Sequence, residues 1–216
     1  MIDYSKFQCR YLKQSEIKEI ADEFRKKYWS KEVMPIDMEY IIENGLRLNI
    51  IPIHGVRREN KIDAYLCSDL KSIVVDYAQY MDTQNRYANR LRFSFAHEIG
   101  HLVLHKNLYK EFEIESPDKY EEFVINFPDY EYENFEWQAN EFAGSLLVPR
   151  KILVGEVERI HKILMEKKLL HMLEENPDQV LAGVSPSIGK TFGVSDEVIE
   201  RRIRVERLWP PKETSD

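Results

Sequence analysis

Cysteines are scarce in this sequence and form no disulfide or metal-binding pattern. The 216-residue chain contains only Cys9 and Cys67, which lie far apart without CxxC spacing. Neither a disulfide framework nor a cysteine-ligated zinc site is therefore indicated. This usage is typical of a reducing compartment, and we expect the protein to be cytoplasmic.

Long hydrophobic runs and a surplus of positive charge are also missing. No apolar stretch reaches the roughly 18 residues that span a bilayer, and residues 1–10 lack the apolar core of a signal peptide. The formal net charge is −7 at pH 7, which gives no general attraction to nucleic acid or to anionic membranes. We therefore expect no membrane association and no direct binding of nucleic acid.

The remaining composition is that of a globular protein, with 43% hydrophobic and 32% charged residues. It suffices for one domain with a sizeable core and a small appendage. Apolar periodicity and turn residues predict the following elements. Helices are predicted over 15–24, 36–44, 89–105, 135–148 and 151–175, with two short ones within 185–208, and strands over 46–53, 64–67 and 72–76. Pro117 and Pro128 indicate an elaborated acidic loop over 106–134.

A metal-binding pattern occurs in the helix predicted over 89–105. His97 and His101 are four residues apart, which on a helix places both imidazoles on one face within reach of a single tetrahedral ion. Zinc suits imidazole ligands, and catalytic zinc sites use three protein ligands and leave one position for water. Glu98 lies about 100° around the helix from His97. We therefore predict one zinc ion per chain, with Glu98 as the general base that takes a proton from water.

A chance match on a solvated helix is the alternative explanation of this pattern. Such a helix would flank its histidines with charged residues, whereas these histidines have mostly apolar neighbours. The neighbours are Phe93, Phe95, Ala96, Ile99, Leu102, Val103 and Leu104. Buried histidines and a buried glutamate need partners, and a metal ion supplies them.

The third ligand has three candidates, which are His105, Glu136 and Glu141. His105 is rotated by about 80° from His97 on an ideal helix, so a hydrogen-bonding or capping role suits it better. Small residues lie near the Glu136 face of the helix predicted over 135–148, and they are Ala139, Ala143 and Gly144. They allow close helix approach, so the Glu136 carboxylate can complete a His, His, Glu ligand set. Asn140 is a candidate to orient that carboxylate.

With these two segments together, the chain resembles the ImmA/IrrE family of zinc metallopeptidases over nearly its whole length. The residues that carry the resemblance are Arg92-Phe93-Ser94-Phe95-Ala96-His97-Glu98-Ile99-Gly100-His101, Glu136-Trp137-Gln138-Ala139-Asn140-Glu141-Phe142-Ala143 and Leu146-Leu147-Val148-Pro149. The resemblance implies that Glu136 is the third ligand. It also implies a compact α+β fold with a minimal zincin-like metallopeptidase domain over 1–175 and a short helix-turn-helix-like helical tail over 176–216.

The insertion over 106–134 is longer than the usual connector of the family, and it is interpreted either as a lid or as a solvated insertion. Many relatives carry an N-terminal repressor-type DNA-binding module, for which this chain has no room before its catalytic domain. Any targeting to DNA would then come from a partner protein.

Two functions follow as hypotheses, and the first is an intracellular endopeptidase that cleaves a helix-turn-helix repressor or an antitoxin-like partner and so relieves repression. The acidic stretch over 111–133 would attract a basic substrate, and the strand over 64–67 would offer it an exposed edge. The alternative is a zinc-containing transcriptional regulator or stress sensor without peptidase turnover. Its support is the set Arg201, Arg202, Arg204 and Arg207. Interleaved Glu200 and Glu206 favour a solvated helix instead. The oligomeric state stays open.

Overall fold

The computed structural model describes Tyr4, residues 7–31 and residues 33–211. The described chain is α+β, as the resemblance implies, and divides into two units. The first comprises Met1–Glu32 and Asp37–Leu146, and the second comprises Val33–Ile36 and Leu147–Asp216. The division at 175/176 stays a prediction. No helix among the described residues is long and apolar enough to cross a membrane.

The first unit holds the sheet and the helices that surround it. Its helices are α1 (Gln14–Tyr28), α2 (Met38–Tyr40, continued as a π-helix over Ile41–Gly45), α3 (Val56–Asn60), α4 (Tyr77–Tyr80), α5 (Ala88–Leu104), α6 (Lys106–Tyr109), α7 (Pro117–Asn126) and α8 (Asp129–Leu147). Its strands are β1 (Asn49–Ile53), β2 (Ala64–Leu66) and β3 (Ser72–Asp76). The helix that carries the two histidines is therefore α5, as predicted.

The strands form one sheet in the order β1-β3-β2, with β1 parallel and β2 antiparallel to β3. The five residues of β3 are buried. Cys67 N–H donates to Ser72 O (2.9 Å), and Asp76 N–H donates to Asp63 O (2.9 Å). Because inward and outward peptide groups alternate along an antiparallel strand, Ala64 and Leu66 direct theirs to the outer edge. The strand predicted over 64–67 is thus an edge strand.

Helices α5 and α8 cross closely at one glycine. A Cβ atom added to Gly100 would lie 3.0 Å from Ala139 Cα and 3.1 Å from Ala139 O. Backbone atoms cannot move aside as a side chain can, so any larger residue would force the two helices apart. Ala139 itself is fully buried. The close approach therefore depends on Ala139 of α8, one of the small residues predicted to allow it, and also on Gly100 of α5, which was not part of that prediction.

The segment 106–134 is helical, so the prediction of a loop is wrong. Pro117 is at the first turn of α7, where its missing N–H has no helical partner to lose. Ser116 caps the same helix by accepting from Lys119 N–H at 3.3 Å. Pro128 directly precedes α8 and leaves that helix uninterrupted. The two prolines therefore mark the starts of α7 and α8 and do not interrupt either helix.

Aromatic side chains anchor this segment to the rest of the unit. Phe123 has ring neighbours on every side, at centroid distances of 4.7 Å to Phe112 and 5.1 Å to Phe127. The buried members of this cluster are Tyr4, Tyr109, Phe112, Phe123, Phe127 and Phe135. Truncation of a buried phenylalanine to alanine costs roughly 3–5 kcal/mol in the free energy of unfolding, so each buried ring of this cluster stabilises the fold by several kcal/mol. The segment is thus part of the core and not a solvated insertion.

The second unit contains α9 (Arg150–Glu166), α10 (His171–Glu175), α11 (Pro177–Phe192) and α12 (Asp196–Val205). The prediction of a single helix over 151–175 is wrong, because the backbone of Lys168 is left-handed (φ 59°) and separates α9 from α10. Gly193 (φ 61°) ends α11, and Ser195 caps α12 by accepting from Val198 N–H. The junction predicted at 192–194 is confirmed, but the helix before it begins at Pro177 and is not the short helix predicted within 185–208.

Substitution of Gly100 tests the close crossing of α5 and α8. Gly100→Ala gains about 1 kcal/mol of helix propensity but forces a methyl group against the Ala139 backbone. We expect a net loss of about 1–2 kcal/mol in the free energy of unfolding, measured by chemical denaturation. Gly155→Ala is the matched control because nothing lies within 4 Å of its added Cβ on α9. Equal stabilisation by both substitutions would contradict the crossing.

Candidate metal centre

Helices α5 and α8 bring the three predicted ligands together. His97 Nε2 lies 3.0 Å from His101 Nε2 and 3.2 Å from Glu136 Oε2. His101 Nε2 lies 3.4 Å from Glu136 Oε1. Among the described residues, these three form the group of possible ligands that converges on one point.

The spacing of these atoms fits a tetrahedral cation. Ligand atoms at about 2.0–2.1 Å from a tetrahedral ion stand about 3.3 Å from one another, and the three observed separations run from 3.0 to 3.4 Å. Three electron-pair donors otherwise repel one another at such distances. The residues present therefore suit a divalent metal ion, and they leave a fourth position for water.

Burial and mutual contacts set the charges of the ligands in the metal-free protein. Burial opposes ionisation of Glu136, but its contacts with His101 and His97 outweigh burial and hold the pKa of this carboxyl well below its usual range. Burial lowers the pKa of His101 to about 4. Burial also opposes protonation of His97, yet its contact with Glu136 raises the pKa of His97 to about 9. A single proton then sits among three acceptors, at the position where a metal ion fits.

Glu98 is buried beside the histidines and is held by the sheet. Its Oε2 accepts from Leu66 N–H of β2 at 2.7 Å, which uses an outward peptide group of the edge strand. Burial raises the pKa of Glu98 to about 7. The second oxygen, Oε1, stays available for a proton. This anchor on Leu66 has no signature in the sequence, since it joins residues 32 positions apart.

Asn140 contacts a histidine and not the carboxylate it was predicted to orient. His97 Nδ1–H donates to Asn140 Oδ1 at 3.1 Å, which leaves His97 Nε2 facing Glu136. Asn140 follows Glu136 by one turn of α8, so the two side chains lie on the same face of the helix. Asn140 contacts Nδ1 of the His97 ring and Glu136 contacts its Nε2. The predicted helix position was right and the predicted partner was wrong.

The other two candidate ligands lie outside the cluster. His105 Nδ1 is 3.0 Å from His101 Nδ1, on the side of that ring opposite its Nε2. Burial lowers the pKa of His105 to about 3, so this imidazole is neutral. Glu141 is buried and accepts from Ser145 Oγ at 3.5 Å. Of the three candidates, the structure places only Glu136 with His97 and His101.

Two imidazoles and a carboxylate on neighbouring helices, with a further buried glutamate alongside, suit a metallopeptidase type of centre. Residues 84–204 match the peptidase M78 family, described as the IrrE N-terminal-like domain. The match spans more than half of the chain, and the chain belongs to this family. Its function is thus of the metallopeptidase type, and the family implies a bound metal. No curated protein matches the chain.

Metal content tests the cluster directly. We expect about one zinc ion per chain by elemental analysis, lost in His97→Ala and in His101→Ala. Glu136→Gln should weaken metal affinity by tenfold or more because it removes a charged ligand. His161→Ala is the control, since His161 lies on α9 outside the cluster. Unchanged affinity in Glu136→Gln would contradict the ligand assignment.

Proposed function

We propose that the protein is a cytoplasmic zinc-dependent endopeptidase that cleaves a DNA-binding repressor or an antitoxin-like partner at a specific site. The observation that carries this proposal is the convergence of His97, His101 and Glu136 with Glu98 beside them. Each of these residues has the chemistry that peptide hydrolysis needs. The membership of the peptidase M78 family agrees with it.

Zinc is a metal that this donor set suits. Two imidazole nitrogens and one carboxylate oxygen form a mixed set that zinc accepts in tetrahedral geometry, whereas magnesium and calcium prefer oxygen ligands throughout. When bound, zinc supplies Lewis acidity that makes water easier to deprotonate and a peptide carbonyl easier to attack. His97, His101 and Glu136 would hold it.

Glu98 is the residue that moves protons in this proposal. Leu66 N–H fixes its Oε2, so the carboxylate presents Oε1 in one orientation. A base works best when its pKa lies near the working pH, and in the metal-free protein burial raises the pKa of Glu98 from its usual value to about 7. Glu98 Oε1 takes a proton from the attacking water and then delivers it to the departing amine.

The edge of β2 supports selective rather than general cleavage. An extended substrate can pair with a free strand edge, but this edge is covered, contrary to the exposed edge predicted from the sequence. Ser68 N–H donates to Ile114 O at 3.0 Å, and Ile114 N–H donates to Ser68 Oγ at 2.7 Å. The Tyr65 ring packs on Tyr120 of α7 at 5.3 Å. In this proposal a cognate substrate displaces only the part of segment 106–134 that covers β2, at Ile114 and Tyr120, and the aromatic cluster stays packed.

The charge of the same segment supports a basic substrate. Residues 111–133 include nine acidic residues and one basic residue. Most of these acidic side chains are exposed. Such a field raises the association rate of a positively charged partner and weakens as salt is added. Repressor domains that bind DNA carry the positive charge that this surface would select.

The regulator hypothesis has less support in the second unit. Arg202 is buried and pairs with Glu206 at 2.8 Å, and Arg204 pairs with Asp178 at 2.8 Å. Two of the four arginines that could contact phosphates are thus engaged within the chain. The peptidase proposal therefore ranks first.

Cleavage of a paired repressor tests the proposal. Metal-loaded wild-type protein should cut a cognate helix-turn-helix repressor, sought among the proteins encoded by neighbouring genes, into a few discrete fragments, faster at low salt, and should leave unfolded casein intact. Glu98→Gln should keep its metal and lose this cleavage, because an amide cannot take the proton. Gels and mass spectrometry report the products.

Two outcomes would contradict the proposal. Broad digestion of casein would indicate a general peptidase with an open groove. Absence of cleavage of any paired repressor by protein with a full complement of metal would favour the sensor hypothesis.

A further inference from the structure

A buried hydrogen-bonded chain leads from the metal cluster to the N-terminal segment. It runs from His101 to His105 (Nδ1 to Nδ1, 3.0 Å), then to Gln138 (His105 Nε2 to Oε1, 3.3 Å), and ends at Arg10 O (2.7 Å from Gln138 Nε2). His101, His105 and Gln138 are 2%, 4% and 0% exposed. Water therefore cannot replace these contacts, and every proton in the chain must have an acceptor.

The far end of the chain fixes the orientation of the Gln138 amide. Arg10 O is a backbone carbonyl and can only accept, so the Gln138 atom that faces it at 2.7 Å must be the NH₂ group. The same NH₂ group donates to Asn134 Oδ1 at 3.1 Å. The Gln138 carbonyl oxygen is then turned towards His105. It too can only accept.

Proton positions follow along the chain by the same logic. His105 is 4% exposed and no carboxylate among the described residues pairs with its ring, so a second ring proton would leave a buried charge without a counter-charge. His105 therefore carries one ring proton, and Gln138 Oε1 requires it on Nε2. His105 Nδ1 is then an acceptor, and the atom that faces it must be a donor. His101 therefore carries its proton on Nδ1, and its Nε2 presents a lone pair to His97 and Glu136.

We propose that His105 and Gln138, oriented by the Arg10 carbonyl, are positioning residues that hold His101 in the Nδ1–H tautomer required of a metal ligand. The opposite tautomer would place two lone pairs against each other at 3.0 Å and would point an N–H at the metal position. This role concerns metal binding and does not depend on which substrate the protein cleaves.

The N-terminal segment is tied to α8 at several points, so the terminal acceptor is firmly placed. Cys9 N–H donates to Glu131 Oε2 at 2.7 Å, and Asn134 Nδ2 donates to Cys9 O at 3.1 Å. Together with Arg10 O these contacts lay the segment along one face of α8. Phe135 of the same helix stacks on both rings, at 4.1 Å from His101 and 4.3 Å from His105. The stack keeps the two imidazoles in register.

A matched pair of substitutions at His105 tests the role. In His105→Asn the side-chain oxygen sits near the position of Nδ1 and can still accept from His101, whereas His105→Leu offers no acceptor. Both variants deprive Gln138 Oε1 of its donor, so they share that cost to stability. Chelator competition should give zinc affinity within about threefold of wild type for His105→Asn and about 10–100-fold weaker for His105→Leu.

Nitrogen NMR of ¹⁵N-histidine-labelled, metal-free protein provides a readout independent of activity. We expect His101 as the Nδ1–H tautomer in wild type and His105→Asn, and a mixture of tautomers in His105→Leu. Gln138→Met, which keeps the length of the side chain and removes the acceptor, should also give a mixture with several-fold weaker zinc affinity. A wild-type spectrum with His101 protonated on Nε2, or equal zinc affinity in all variants, would overturn the proposal.

Discussion

The close crossing of α5 and α8 is the constraint on which the rest of the site depends. Two of the ligands come from α5 and the third comes from α8, so the distance between the helix axes sets the distance between the ligand atoms. At Gly100 and Ala139 the two backbones are so close that a Cβ atom added to Gly100 would lie 3.0 Å from Ala139 Cα. Since Gly100 directly precedes His101, the tightest point of the crossing lies beside the cluster. Packing and metal chemistry are therefore coupled in the same turn of helix.

Each functional side chain of the cluster is held at its far end by a different part of the first unit. Asn140 holds His97, the His105–Gln138 pair holds His101, and the β2 backbone holds Glu98. A catalytic group keeps its geometry only when its supports are themselves buried and bonded. Here one support comes from α8, one from α5 and α8 together, and one from the sheet. Loss of any single support should disturb one group and spare the others.

The features that could be predicted from the sequence are those that depend on residues close together along the chain. The spacing of His97 and His101 predicted the helix, its face and the metal, and the small residues near Glu136 predicted the third ligand. The strands β2 and β3 were likewise visible as short apolar runs. These features are readable because helix and strand geometry relates residues two to four positions apart.

Contacts between distant residues could not be predicted in the same way. The bond from Gln138 to Arg10 O joins residues 128 positions apart, and no periodicity encodes it. The prediction of a loop over 106–134 was wrong because a proline disrupts a helix from an interior position, whereas Pro117 lies in the first turn of α7. Only the tertiary structure shows that the aromatic residues of this segment pack on one another. Asn140 was given the wrong partner because Glu136 lies one turn away on the same helix, whereas the observed partner, His97, lies on α5 and 43 positions away in the sequence.

The central claim is that His97, His101 and Glu136 together form one metal site. Anomalous diffraction from crystals of the zinc-loaded protein, recorded on both sides of the zinc absorption edge, tests it most directly. The account predicts a single strong peak about 2.0–2.2 Å from His97 Nε2, His101 Nε2 and a Glu136 oxygen. A peak bonded to His105, or one that lacks Glu136, would contradict it.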